Sequence, residues 1–168
     1  MAELINPSPV LHARRDTGTK REGRHAISEE EHPQEREPID ALEIFEHLRD
    51  ITDPEHPYTL EQLNVVEEKL IDVDDHKSRI RVQFTPTVAH CSMATLIGLC
   101  VRVKLMRSLP PRFKVDIQVS PGSHSSEEAV NKQLADKERV AAALENPSLL
   151  DMVNRCLLSA EGGPAAGA

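Results

Sequence analysis

The chain has 168 residues, a formal net charge of −8 and 39% hydrophobic content, with no Trp, one Tyr and three Phe. That length suits a single domain with an aliphatic core. The acid excess argues against nucleic acid as the principal partner, because phosphate binding needs clustered surplus Lys and Arg, and no apolar run approaches the roughly 18 residues of a membrane span. The first residues, Met1 to Pro7, show neither the basic nor the apolar region of a signal peptide. Three cysteines, an odd number, fit free thiols in a reducing cytosolic or nuclear setting.

Residues 1–37 are polar and punctuated by proline, with Arg and Glu intermixed and no aromatic residue. Such a stretch buries too little apolar surface to offset ordering entropy, so a flexible arm is expected, with His12, His25 and His32 solvated. The domain is expected over residues 38–158. Asp40, with Glu43 three residues on, resembles a capping box, and Ala41, Ile44, Phe45, Leu48 and Ile51 follow helical spacing. Asp53-Pro-Glu-His-Pro57 stops that helix, and Thr59-Leu-Glu-Gln62 reads as one further capped turn.

Two strands are predicted next, over residues 65–73 and 80–84, joined by the polar connector Asp74-Asp-His-Lys-Ser78. In the second, Ile80, Val82 and Phe84 point inward. A long apolar helix follows over residues 92–107, with Ser92 as its cap, and Phe113, Val115, Ile117 and Val119 mark a third strand. Strand, helix and strand in this order imply a parallel crossover. Ser125 with Glu128 suggests another capping box, a break is expected near Asp136, and Pro147 restarts a short helix through Leu157. Residues 159–168 read as a disordered tail. The order is α-β-β-α-β-α-α, an α+β domain with a small mixed sheet of about three strands packed against helices.

Chemistry concentrates at Cys91. Placed where a strand gives way to a helix, it faces unpaired backbone N–H groups and the positive end of the helix dipole, both of which favour thiolate over thiol. The plain alternative is a buried core cysteine. Adjacent His90 is a weak candidate for its base. Nine residues of helix at ~1.5 Å each separate Cys91 from Cys100 by about 13 Å, so the two cannot chelate one metal ion. Cys100 and Cys156 read as packing residues. An iron–sulfur cluster or metal held through Cys91 must therefore find its other ligands on a second subunit, a partner or a small thiol.

The histidines show no metal-ligand spacing. Candidates for partner contact are Asp53, Glu55 and His56 in the proline-fixed turn, whose plain reading is a helix stop. Arg107 and Arg112 belong to a basic island with Arg102, Lys104 and Lys114, which either complements a helix dipole or docks an acidic partner. Pro121-Gly-Ser-His-Ser-Ser126 reads as an N-cap loop that could otherwise hold an anion.

Asp53-Pro-Glu-His-Pro57, Thr59-Leu-Glu-Gln-Leu-Asn-Val-Val66, Phe84-Thr-Pro-Thr87, His90-Cys-Ser-Met-Ala-Thr-Leu-Ile-Gly-Leu99 and Val103-Lys-Leu-Met-Arg-Ser-Leu-Pro110 together resemble the cytosolic iron–sulfur assembly component 2 family, also known as mitotic-spindle-associated subunits of the MMXD complex. The string from Asn131 to Asn146 extends the resemblance, which covers residues 38–157, and His90 and Cys100 point to the plant form. It implies a small α+β domain and a non-enzymatic subunit of the cytosolic iron–sulfur targeting complex. The implied partners are a WD-repeat propeller subunit and a HEAT-repeat adaptor, serving apo-protein clients of DNA replication and repair in cytoplasm and nucleus. The family's reactive cysteine maps onto Cys91, which would contact a transient iron–sulfur cluster or the client, and a lone ligand makes a homodimer an open expectation. Two other readings stay open: a thiol enzyme with Cys91 as nucleophile and a distant His56 or His124 as base, and a pure adaptor in which Cys91 is inert.

Overall fold

The computed structural model describes residues 9–16, 37–87 and 91–158, with Cys91 described by its backbone alone. The first helix, α1 (Ala41–Leu48), starts where Asp40 accepts a hydrogen bond from the Glu43 N–H at 2.9 Å and buries Ile44, Phe45 and Leu48. It ends one turn earlier than its spacing suggests. The Ile51 N–H turns back to the Leu48 carbonyl, and Thr52 bridges to Thr59 across the proline-rich turn, so Ile51 reaches the core from outside the helix. The capped turn at Thr59 forms as expected: the Gln62 N–H donates to Thr59 Oγ1, and the Thr59 N–H to Gln62 Oε1.

The strand expected over residues 65–73 is shorter. Only β1 (Ile71–Asp74) joins the sheet, preceded by a 3₁₀ turn at Glu68–Leu70. Val65 is buried but spends its carbonyl on the Thr85 N–H and its own N–H on the Leu60 carbonyl, which takes that stretch out of the ladder. The turn after β1 closes through Ser78 N–H to Asp75 C=O, with Ser78 at φ 53°, and leads into β2 (Arg79–Phe84). β1 and β2 are antiparallel in the register Asp72↔Arg81 and Asp74↔Arg79. Helix α2 (Cys91–Ser108) then crosses to β3 (Lys114–Val119), which lies parallel to β2, giving the order β1-β2-β3 and the expected mixed sheet. One face of the sheet enters the core through Ile71, Ile80, Val82, Phe84, Ile117 and Val119. The other face carries charged residues.

α2 is the central helix, packed against α1, β3 and the C-terminal helices α3 (Glu127–Ala135) and α5 (Pro147–Leu157). Its weakly amphipathic sequence follows from being enclosed on several sides. Gly98 lets α3 come close: a Cβ there would lie 2.6 Å from Leu134 Cδ1 and 2.7 Å from Leu134 Cδ2, and Leu134 is itself buried. Gly98→Val is therefore expected to cost about 1–3 kcal/mol in urea unfolding, through overpacking. Combined with Leu134→Ala, it should cost less than the sum of the two single changes.

The break near Asp136 is present. Asp136 Oδ1 accepts from the N–H groups of Glu138 and Arg139 and starts α4 (Lys137–Glu145), while Asn146 caps α5 through the Ser148 and Leu149 N–H groups. The Ser125–Glu128 capping box is not formed. α3 begins at Glu127, and its approach is held by His124 Nδ1 accepting from the Ser126 N–H and by Glu127 Oε2 accepting from the N–H of Gly122, whose φ is 76°. Ser92 is likewise not the cap of α2, since the helix already includes Cys91.

The arm is not uniformly loose. Residues 9–16 lie against the domain: the His12 N–H donates to the Gln62 carbonyl, the Arg15 N–H to Glu61 Oε1 at 2.7 Å, and the Arg14 guanidinium pairs with Asp50 at 2.8 Å. The His12 side chain is exposed, as expected. The segment covers an ion pair that composition does not reveal. Arg49 grips Glu61 with two hydrogen bonds of 3.0 Å, both side chains at least 93% buried, and also bonds to Glu46 and to the Arg15 carbonyl. Burial works against the Arg49 charge, but the hydrogen bonds and charges of Glu61 and Glu46 outweigh it and raise its pKa. The expectations for the rest of the arm and for the tail, residues 159–168, fall outside the described residues.

Candidate functional site

β2 and β3 run in the same direction, and the chain leaves β2 through Thr85, Pro86 and Thr87 before starting α2 at Cys91. The backbone of Cys91 is therefore the first residue of an 18-residue helix beyond the carboxyl end of a parallel strand pair. At this position several N–H groups have no partner within the helix and the dipole is positive. In open sheets with parallel strands this is also the end where ligands bind. His90 and the Cys91 side chain lie outside the described residues.

The other two cysteines are accounted for. Cys100 and Cys156 are 1% and 6% exposed and bring their thiols together between α2 and α5. The Cys156 sulfur, burial and the nearby charge of Asp53 push the Cys100 thiol up, away from ionisation, while the same contact draws the Cys156 thiol down. Neither sulfur is available to a ligand shared with Cys91. Among the described residues, no three His, Cys, Asp or Glu side chains converge as a metal site.

The turn candidates separate into two kinds. Asp53 is 5% exposed and faces inward, and its Oδ1 accepts from the N–H groups of Glu55 at 2.8 Å and His56 at 3.1 Å. It shapes the turn rather than meeting a partner at the surface. Glu55 is exposed and His56 half-buried, so both are displayed by that turn.

The basic island does not exist as one surface. Arg102 is half-buried and donates to the Leu134 carbonyl, Lys104 is buried, and Arg107 reaches Asn154 of α5 at 2.9 Å. Arg112 stacks over the Phe113 ring and is tied to Asp75 and Ser78, while Lys114 stands on the open face of the sheet. Residues that are close in sequence were dispersed because a helix and a strand present successive side chains in different directions.

The loop after β3, expected as an N-cap loop that could hold an anion, lies beside the connection from β2 to α2, a proximity that residue order does not show. This loop leaves the same end of the sheet as the connection to α2, and the Ser120 N–H bonds to the Phe84 carbonyl at 2.8 Å. His124 uses Nδ1 within the loop, which places its proton on Nε2, and among the described residues that enclosed nitrogen has no partner. The only signal for this in the sequence was the histidine in Pro121-Gly-Ser-His-Ser-Ser126.

Residues 42–119, from α1 through β3, match the model of a family described as iron–sulfur cluster assembly protein. Protein AE7 of Arabidopsis thaliana is 60% identical over 158 residues, covering 94% of this chain and 98% of that protein. This is a member of the iron–sulfur cluster assembly protein family. Cytosolic iron-sulfur assembly component 2B of Mus musculus is 56% identical over 155 residues, covering 92% of this chain and 91% of the relative. MIP18 family protein galla-2 of Drosophila melanogaster is 62% identical over 121 residues, 72% of this chain and 78% of the relative. The family match ends with β3, so the strand pair and α2 lie inside it and α3 to α5 beyond it.

Proposed function

We propose that this chain acts in cytosolic iron–sulfur protein assembly as a non-enzymatic subunit that helps pass clusters to apo-proteins, with Cys91 as the sulfur that touches the cluster or the client. The observation that carries this reading is the contrast among the three cysteines. Two are committed to each other in the core, and the third begins a long helix at the ligand-binding end of a parallel strand pair.

The chemistry suits transfer. Thiolate is soft enough to hold iron, and one ligand on this chain gives a site from which cargo can leave, unlike a closed four-cysteine cage. The remaining ligands come from a partner, a second copy or a small thiol. The WD-repeat propeller and HEAT-repeat partners, and clients in both cytoplasm and nucleus, belong to this reading through family membership. A mouse relative carries the name cytosolic iron-sulfur assembly component 2B, which supports the cytosolic setting.

The test begins with iodoacetamide labelling of the full chain near neutral pH, with each cysteine followed by mass spectrometry. Cys91 is expected to react several times faster than N-acetylcysteine, and Cys100 and Cys156 much more slowly. Labelling of Cys91 no faster than the free thiol would favour the inert adaptor. Anaerobic reconstitution with the partner subunits should then give cluster absorption and EPR signals that Cys91→Ser loses. Signals of equal intensity in that variant would remove Cys91 from cluster contact.

A further inference from the structure

The outward face of the sheet carries two charged rows across its strands. One row is Asp72, Arg81 and Asp116, in which the central cation is flanked by acids and lies 3.4 Å from Asp116. The other is Asp74, Arg79 and Lys114, in which two cations stand directly opposite each other. Asp74 is already engaged by Lys77, whose ammonium is 3.4 Å away and whose N–H donates to Asp74 Oδ1. Among the described residues neither Arg79 nor Lys114 has an ion-pair partner, and both are exposed. Like charges facing each other across a sheet are destabilising, and an anion set between them removes that cost.

These residues line a cavity of about 350 Å³. We propose that this cavity is a docking cleft for an acidic segment of a partner protein, one carboxylate seating between Arg79 and Lys114. Four cations and three carboxylates line it, so a polyanion such as nucleic acid would meet repulsion from Asp72, Asp74 and Asp116. Carboxylates spaced by uncharged polar residues match the rows, since one can seat between Arg79 and Lys114 while a neutral neighbour passes the acids. The cleft sits at the amino ends of β2 and β3, whereas Cys91 follows the carboxyl end of β2. A partner held here leaves the Cys91 end of the sheet uncovered, and the inference does not depend on what Cys91 does.

The experiment titrates the ¹⁵N-labelled full chain at low ionic strength with an acetylated, amidated octapeptide alternating Glu and Ser. Amide shifts are expected to cluster in β2, β3 and the turn between β1 and β2. The double variant Arg79→Gln/Lys114→Gln should bind at least about tenfold more weakly, as expected for loss of a charge-assisted contact. Its melting temperature should be no lower, because a repulsion has been removed. The control Lys132→Gln/Lys137→Gln removes the same charge from α3 and α4 and should bind nearly as well as the parent chain. The proposal is overturned if no binding occurs or the shifts map elsewhere. It also fails if the control weakens binding equally, if a Gln/Ser peptide binds as well, or if an oligouridylate of equal charge binds more tightly.

Discussion

Cys91→Ser is expected to reduce cluster loading of client proteins to background while leaving the targeting complex assembled. Serine is nearly isosteric and is a preferred residue where helices begin, so α2 should form unchanged. What changes is the donor atom, since a hydroxyl is neither soft nor ionised at neutral pH and offers iron no thiolate. The readout is client activity or iron content after anaerobic transfer, beside co-purification of the partner subunits. Cys100→Ser and Cys156→Ser are the controls. Both disturb a buried thiol pair between α2 and α5, so they should lower stability by roughly 1 kcal/mol and leave loading intact. Wild-type loading by Cys91→Ser in an intact complex would sink the proposed role.

The largest stability effect is expected from Glu61→Ala, at about 3–5 kcal/mol in urea unfolding. Arg49 has a side chain only 4% exposed and depends on Glu61 for two hydrogen bonds. Removing Glu61 leaves a buried guanidinium that has lost two of its hydrogen bonds, with Glu46 still in contact. The Arg15 N–H also loses its acceptor, so residues 9–16 should be held less tightly and become more sensitive to proteases. The double change Arg49→Met/Glu61→Leu should cost much less than Glu61→Ala alone, because it removes the charge together with its partner. Equal loss in the single and double variants would show that packing, not the unpaired charge, sets the cost.

Much of this architecture was readable residue by residue because its causes are local. Asp40, Asp136 and Pro147 mark helix starts through cap chemistry within three residues. The alternation of Ile80, Val82 and Phe84 shows a strand with one buried face. The strand expected from residue 65 failed because Val65 has β-forming character but its backbone partners, Leu60 and Thr85, were chosen by the folded chain. The Ser125–Glu128 box is absent because α3 starts at Glu127, one residue later than the box requires, with His124 and Glu127 holding the Ser126 and Gly122 N–H groups of its approach.

The candidate site divides along the same line. Cys91 could be singled out from its place between a strand and a helix, and Cys100 dismissed by helical spacing alone, because both inferences need only local geometry. Sequence by itself therefore established the main element order, a helix start within one residue of Cys91 and the family strings around it. Folding determined the remainder: the thiol pair of Cys100 and Cys156, the inward turn of Asp53, the dispersal of the basic island, and the meeting of Arg79 with Lys114. These depend on contacts between residues far apart in the chain, and such contacts are set by how the elements pack rather than by spacing along any one of them.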